Sequence, residues 1–398
     1  MSENVIKSYK GFDKDMQCRG FQYEVGKEYN MDGEIKCCNR GFHACKSPLE
    51  VWDYYDMLNT RFAEVEQSGN IDEEEKSTKI CSSRIKIKAE LKLADIINIG
   101  VEWLKDITSP SKVKADGALN DNGDRRKQIG SSGEYAQIGS SGDSAQIGSS
   151  GYYAQIGSSG YYAQIGSSGY YAQIGSSGYY AQIGSSGDSA KIGSSGYSAK
   201  IGSSGYSAKI GSSGYYAQIG SSGDSAKIGS SGYSAKIGSS GDSAKIGSSG
   251  YSAKIGSSGD SAQIGSSGDS AQIGSSGYSA KIGSSGDSAQ IGSSGDSAKI
   301  GSSGDSAQIG SSGDSAQIGS SGDSAKIDST GKDSVIMCAG RNSRAKAKVG
   351  SWITLAEWKW SDEKNHVPVC VKTEYVDGEN IKADTWYQLK NGNFVEVD

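Results

Sequence analysis

The stretch QIGSSGYYAQIGSSGYYA at residues 155–172 is two near-identical nine-residue units, and Ile recurs every nine residues from Ile129 to Ile327. Counted from its alanine, a unit reads Ala, Lys or Gln, Ile, Gly, Ser, Ser, Gly, then Asp or Tyr, then Ser or Tyr. Strand geometry sends alternate side chains to opposite faces, so Ala and Ile share an inner face while Lys or Gln and the residue before Ala point outward. The GSSG that follows offers small residues and permissive dihedrals for a tight corner. One unit cannot enclose a core alone. Two units facing each other make an eighteen-residue coil with a thin Ala and Ile interior, and stacked coils make a parallel β-solenoid. Three units per coil is the rival. Eleven coils at roughly 4.8 Å each form a rod on the order of 50 Å.

Parity supports the two-unit coil. With eighteen residues per turn, Tyr161, Tyr179, Tyr197, Tyr215, Tyr233 and Tyr251 form one unbroken outward ladder, while Tyr152, Tyr170, Tyr206 and Tyr278 scatter on the other side. Wherever the second variable position is Tyr (Tyr135, Tyr153, Tyr162, Tyr171, Tyr180, Tyr216), the residue two later is Gln. Duplication of a YYAQ unit accounts for this as simply as selection of a Tyr and Gln surface.

Composition narrows the class. The 58 Gly among 398 residues follow no three-residue period, which excludes collagen. The fixed offsets of Ile and Ala argue against disorder. The start, MSENVIKSYKGFDKDM, lacks an apolar export region, and no run approaches the eighteen apolar residues of a membrane helix. Seven Cys is an odd number for a disulfide framework, so a cytoplasmic, reducing setting is expected. The formal charge of −5 carries no basic signature for nucleic acid.

Three segments follow. Residues 1–115 have globular composition and are expected to form a small α+β domain. SPLEVWDYYDML begins like a helix with Ser47 as cap, Pro48 in the first turn and Glu50 completing a capping box. RFAEVEQSG and KICSSRIKIKAEL alternate as strands do, and ADIINIGVEWLKDI is apolar at helical spacing up to Ser109–Pro110. The linker SKVKADGALNDNGDRRK leads into the array, so the solenoid is placed at 116–349, with Ile336 and Gly340 still in phase. Residues 350–398 read as a β-rich cap with hairpin-turn dipeptides at Asp377–Gly378 and Asn391–Gly392. A stack of strands has two open edges, and both flanks are expected to act as caps.

Chemistry-bearing motifs are few. Against the calcium-binding nonapeptide GGxGxDxUx, this unit has Ser where Asp should stand, and ten of twenty-two units carry Tyr for Asp, so calcium is not expected. The Lys row next to Tyr could stack nucleic acid, but interleaved Asp nearly balances it. CCNRGFHAC brings Cys37, Cys38, His43 and Cys45 together as weak zinc candidates, without a paired Cys-x-x-Cys. His43 with Glu64 or Glu66, near Arg61 and Tyr55, is thin support for an acid–base site, so no catalytic residue and no cofactor are assigned.

At KGFDKDMQCRGFQYEVGKEY, GFHACKSPLEVWDYY and RFAEVEQSG the chain resembles a family of uncharacterised phage, prophage and bacterial proteins. In these a domain of unknown function precedes nonapeptide repeats and a C-terminal piece ending much like IKADTWYQLKNGNFVEVD. Their repeats are often of a GDxGAASAT type, so the IGSSG form departs by adding Ile to the core. The resemblance implies a phage-related setting and supplies no activity. The reading is therefore a non-enzymatic β-solenoid scaffold presenting a repetitive surface for protein binding or self-association. Its alternatives are an effector whose N-terminal domain binds a host target with the repeats as spacer, and an ice-binding solenoid.

Overall fold

The computed structural model describes residues 5–56, 60–74, 78–107, 118–120, 128–361 and 365–398. The expected linker at 111–127, apart from 118–120, and the helix stop at Ser109–Pro110 lie outside these residues. The chain forms two compact units, one of residues 1–201 with 209–214 and 229–231, the other of 202–208, 215–228 and 232–398.

Between residues 128 and 355 the chain winds about 13 turns of parallel β-solenoid. That exceeds the eleven counted from clean repeats, because Val335–Cys338 and Arg344–Lys346 go on pairing after the motif decays. Each unit contributes one four-residue strand, as in Gln146–Ser149 or Lys254–Ser257, and alternate units belong to two different fifteen-stranded sheets. Gln146 pairs with Gln164 and Ile147 with Ile165, an eighteen-residue register that excludes three units per coil. Ala and Ile are buried throughout, as at Ala253, fully buried, and Ile255, 3% exposed.

The corner differs from the expectation in a physically informative way. The strand runs Lys/Gln-Ile-Gly-Ser, so half of GSSG is strand and the corner is the second Ser, the second Gly and the two variable residues. The first Ser turns inward, and in the units up to Ser275 its Oγ accepts the N–H of the glycine two residues on, at 3.3 Å for Ser149 and Gly151. That glycine sits where successive coils approach most closely: a Cβ on Gly241 would lie 2.0 Å from the carbonyl oxygen of Gly223.

In the last units the corner changes hand. Ser288, Ser297, Ser306, Ser315 and Ser324 take φ of 55 to 58°, followed by Asp333 and Asn342 at 54°. A left-handed non-glycine residue costs about 1–2 kcal/mol. Here Asp recurs at the same corner of successive coils, and each carboxylate accepts the next coil's N–H, as from Asp314 to Asp296 (2.9 Å) and from Asp323 to Asp305 (2.7 Å). A tyrosine at that position has no such acceptor.

The N-terminal domain is a sheet in the order Glu28–Asn30, Lys79–Leu91, Phe42–Cys45, Ile6–Phe12, Arg61–Glu73. Lys79–Leu91 also pairs with Arg61–Glu73, so four strands close on themselves around Phe12, Phe42, Val65, Ile85 and Ile87. Of the expected helix at 47–58, residues 57 and 58 lie outside those described, and the rest holds a five-residue 3-10 turn, Leu49–Asp53, without a side-chain cap. Its capping box fails because the Glu50 carboxylate instead accepts the Thr78 N–H (2.8 Å) and hydroxyl.

The helix Leu93–Ile107 does form, and its buried Ile97, Val101 and Leu104 follow helical spacing. This stripe packs on the solenoid strands Gln155–Ser158, Gln173–Ser176 and Lys191–Ser194. The outward row there is glycine, so the sheet surface is flat enough to admit large side chains. A Cβ on Gly175 would meet Leu104 at 2.9 Å, and one on Gly211 would meet Ile97 at 2.9 Å and Trp52 at 3.0 Å. The domain thus lies against the side of the solenoid and does not cap its end.

Near-identical coils offer no apolar register mark, and ionic contacts supply one. Asp53 binds Lys191 (2.5 Å) and Lys209 (2.9 Å), Lys209 also donates to the Trp52 carbonyl (2.8 Å), and the Ser213 hydroxyl donates to Asn98 (2.6 Å). Burial pushes the Asp53 carboxyl up, but the two ammonium groups outweigh it and hold it below the usual carboxylate value. A depressed folded value means the contact contributes fully above the unfolded pKa, about 3.9, and is lost as pH falls through the lower folded value. Acidification below about pH 4 is therefore expected to loosen the helix from the sheet, read as faster hydrogen exchange in residues 93–107. An Asp53→Asn variant should exchange faster at neutral pH and lose that acid step; an unchanged step in the variant would assign it to another group.

At the C-terminal end both sheets finish in hairpins. Trp352–Trp360 pairs parallel with Val335–Cys338 and antiparallel with His366–Tyr375, while Tyr387–Lys390 pairs antiparallel with Arg344–Lys346 and with Asn393–Glu396. Pro368 and the charged residues along these strands blunt the final edge. The Glu357 carboxylate accepts the Gly392 N–H at 2.8 Å and ties the two hairpins together. Asn391–Gly392 is a hairpin turn with both residues at positive φ. Asp377–Gly378 is not: the Asp377 carboxylate accepts N–H groups from Glu379, Asn380 and Ile381 and folds a loop between strands of different sheets.

Candidate functional site

Two features have chemistry beyond holding the fold. The first is the tyrosine surface. Each ring stands at a corner, and the next copy in the same column is eighteen residues on, so ring spacing follows coil spacing. Tyr161 and Tyr179 stack at 5.2 Å between centroids, and Tyr179 and Tyr197 at 4.7 Å, with planes within 17° of parallel. In the second unit Tyr215, Tyr233 and Tyr251 stack in the same way at 4.9 and 5.2 Å. Where both variable positions are Tyr, a second stack runs beside the first: Tyr162 with Tyr180 at 5.4 Å, edge-on to Tyr161 and Tyr179. The column of Tyr152 and Tyr170 stacks likewise at 5.3 Å, with Tyr135, Tyr153 and Tyr171 alongside. Five of the six ladder rings are 37 to 44% exposed and Tyr179 is half-buried, so a large aromatic area is turned outward. Rings stacked in this way present aligned edges and hydroxyls to a contacting surface.

The second feature lies in the N-terminal domain, where Cys37, His43 and Cys81 each point one ligand atom to a common place, all within 4.8 Å of one another. Cys37 sits in the tight turn closed by the Lys36–Arg40 bridge, His43 on Phe42–Cys45, and Cys81 opposite it on Lys79–Leu91. Gly41, at φ 138°, leaves room for Cys81: a Cβ there would be 3.1 Å from the Cys81 Cβ. Burial raises the Cys37 thiol and pushes the Cys81 thiol up to about 12. Burial also lowers the His43 imidazole, and the charges of Lys10, Lys79 and Arg19 add to the effect.

Of the four sequence candidates, the structure brings together Cys37 and His43. Cys38 is exposed and turned to the Lys79 ammonium at 2.9 Å, and Cys45 is buried against the core opposite Tyr9. Cys81 was missed because it lies 38 positions downstream of His43 and only strand pairing brings it back. The carboxylates considered with His43 are engaged elsewhere, Glu64 with Lys7 (2.7 Å) and Glu66 with Lys88 (3.0 Å), while Arg61 binds Glu90. Tyr55 accepts the buried Lys10 ammonium at 3.2 Å and contacts Cys18 at 3.2 Å. Among the described residues no helix is long and apolar enough to cross a membrane.

Residues 6–99 match the family model of a domain of unknown function, DUF7666, which covers the closed sheet, the 3-10 turn and the first part of the helix. Neither a curated protein nor a solved structure matches the chain.

Proposed function

We propose that this protein is a non-enzymatic scaffold in which a β-solenoid presents stacked tyrosine ladders as a repetitive protein-binding surface, with self-association as its simplest use. The observation that supports the reading most is the ladder itself. Variation along the array is confined to positions outside the Ala and Ile core, the Lys or Gln that opens each strand and the two corner residues, and where Tyr fills a column the rings are stacked and aligned. Tyrosine offers large contact area at low entropy cost and keeps a polar tip, which suits it to interface centres. The laterally docked N-terminal domain covers part of one sheet and leaves the ladder corners outward.

Sedimentation over a concentration series tests this. Full-length protein is expected to associate, and replacing Tyr161, Tyr179 and Tyr197 by Asn is expected to weaken association by at least about tenfold, since one buried aromatic anchor is worth about 2 kcal/mol. Asn is neutral and close in size to the Asp found at this position in eleven units, so the corners keep their fold. Equal association of both proteins would overturn the ladder as the contact surface.

A further inference from the structure

We propose that Cys37, His43 and Cys81 form a zinc-binding site in the N-terminal domain, with three protein ligands and a fourth position open to solvent. Two sulfurs at 2.3 Å from a tetrahedral zinc are separated by about 3.8 Å. The three donor atoms lie within 4.8 Å of one another, so closure onto an ion needs movements of about an ångström or less at each side chain. Two thiolates, one imidazole and Zn²⁺ make a neutral set, which suits a partly buried position.

The surroundings are organised for this. Three separate segments converge: the 36–40 turn, one strand and its antiparallel neighbour. The His43 Nε2 accepts the Cys38 N–H at 3.0 Å, which places this nitrogen beside the turn that bears Cys37, and an ion coordinated there would take the place of that N–H. The ring is also hydrogen bonded by the Gly41 backbone, which orients it as ligating histidines are oriented elsewhere. The Cys37 N–H is held by the Asp72 carboxylate at 2.8 Å, which anchors the turn at the site. Lys79, paired with Glu74 at 2.8 Å, holds the neighbouring Cys38 sulfur at 2.9 Å and so keeps it turned away from the site. Loading releases the two thiol protons, so affinity falls as pH falls.

Cobalt is the probe. The full-length protein, purified in a non-thiol reductant, is titrated with Co²⁺ and then with Zn²⁺ in competition. One equivalent of cobalt is expected to give a thiolate-to-metal charge-transfer band with tetrahedral d–d bands, both displaced by zinc. Cys37→Ser, on the partly exposed turn, is expected to weaken binding about 100-fold or more, and Cys81→Ser likewise, while Cys38→Ser and Cys45→Ser keep the spectrum. Circular dichroism of each variant separates a lost ligand from a lost fold, and Cys37→Ser carries the decision if Cys81→Ser does not fold. No charge-transfer band, a band that survives Cys37→Ser, or one that depends on Cys45 would overturn the site.

Discussion

Replacing Gly241 by alanine is expected to destabilise its coil by about 3 kcal/mol, whereas Gly238→Ala, three residues earlier, is expected to change stability by less than about 1 kcal/mol. Both glycines belong to one nonapeptide, and composition does not distinguish them. A Cβ on Gly241 would enter the carbonyl of Gly223 one coil below, at 2.0 Å, while one on Gly238 meets nothing within 4 Å. The atom in the way is backbone, which has no rotamer to change, so the coils must separate. Separation stretches the neighbouring bond from the Ser243 N–H to the Asp224 carbonyl, now 2.8 Å. Because solenoid stability is a sum over adjacent coils, the loss is local. Hydrogen exchange of amides in the flanking coils should rise roughly a hundredfold for Gly241→Ala and remain unchanged for Gly238→Ala. Equal effects would mean the coils have slack that the structure does not show.

The second large effect concerns the docked domain. Gly211→Gln is expected to expel the N-terminal domain from the sheet, because its side chain would enter the space of Ile97 and Trp52. The same change at Gly184, on the sheet that carries no domain, meets open space. Overpacking of this kind costs about 3 kcal/mol, or roughly a hundredfold in the undocked population. Hydrogen exchange in residues 93–107 would read it as faster exchange in Gly211→Gln and unchanged protection in Gly184→Gln. The Asp53 contacts with Lys191 and Lys209 bear on the same equilibrium, so Asp53→Asn should add to the effect by less than the sum of the two single changes.

What the sequence disclosed, and what it withheld, follows from the range of the interactions involved. The alternation of Ala and Ile, and the parity of the tyrosines, are properties of neighbours along one strand or one coil, and both lead to the two-unit coil that the register at Gln146 and Gln164 shows. The strands Arg61–Glu73 and Lys79–Leu91 and the helix Leu93–Ile107 were legible from periodicity for the same reason. The features that escaped depend on distant partners. Glu50 looks like a capping residue until Thr78 claims its carboxylate. Asp377–Gly378 looks like a hairpin turn until the flanking strands go to different sheets. Cys81 joins Cys37 and His43 only through antiparallel pairing. The side-on docking was hidden because its receptor is a row of glycines, identical in every repeat, and its register is set by lysines at 191 and 209 that look like ordinary exposed variation.

The account rests on one turn of the solenoid for every eighteen residues, since that period sets the core, the tyrosine columns and the docking face. Paired cysteines test it most directly. Lys254 and Gln272 are strand partners one coil apart, while Lys254 and Gln263 belong to opposite sheets. Neighbouring parallel strands lie about 4.8 Å apart, within disulfide reach, and facing sheets do not. Under mild oxidation the 254–272 pair should close within one chain and the 254–263 pair should not. Closure of 254–263, or of a pair 27 residues apart such as 254–281, with 254–272 left open would contradict the two-unit coil.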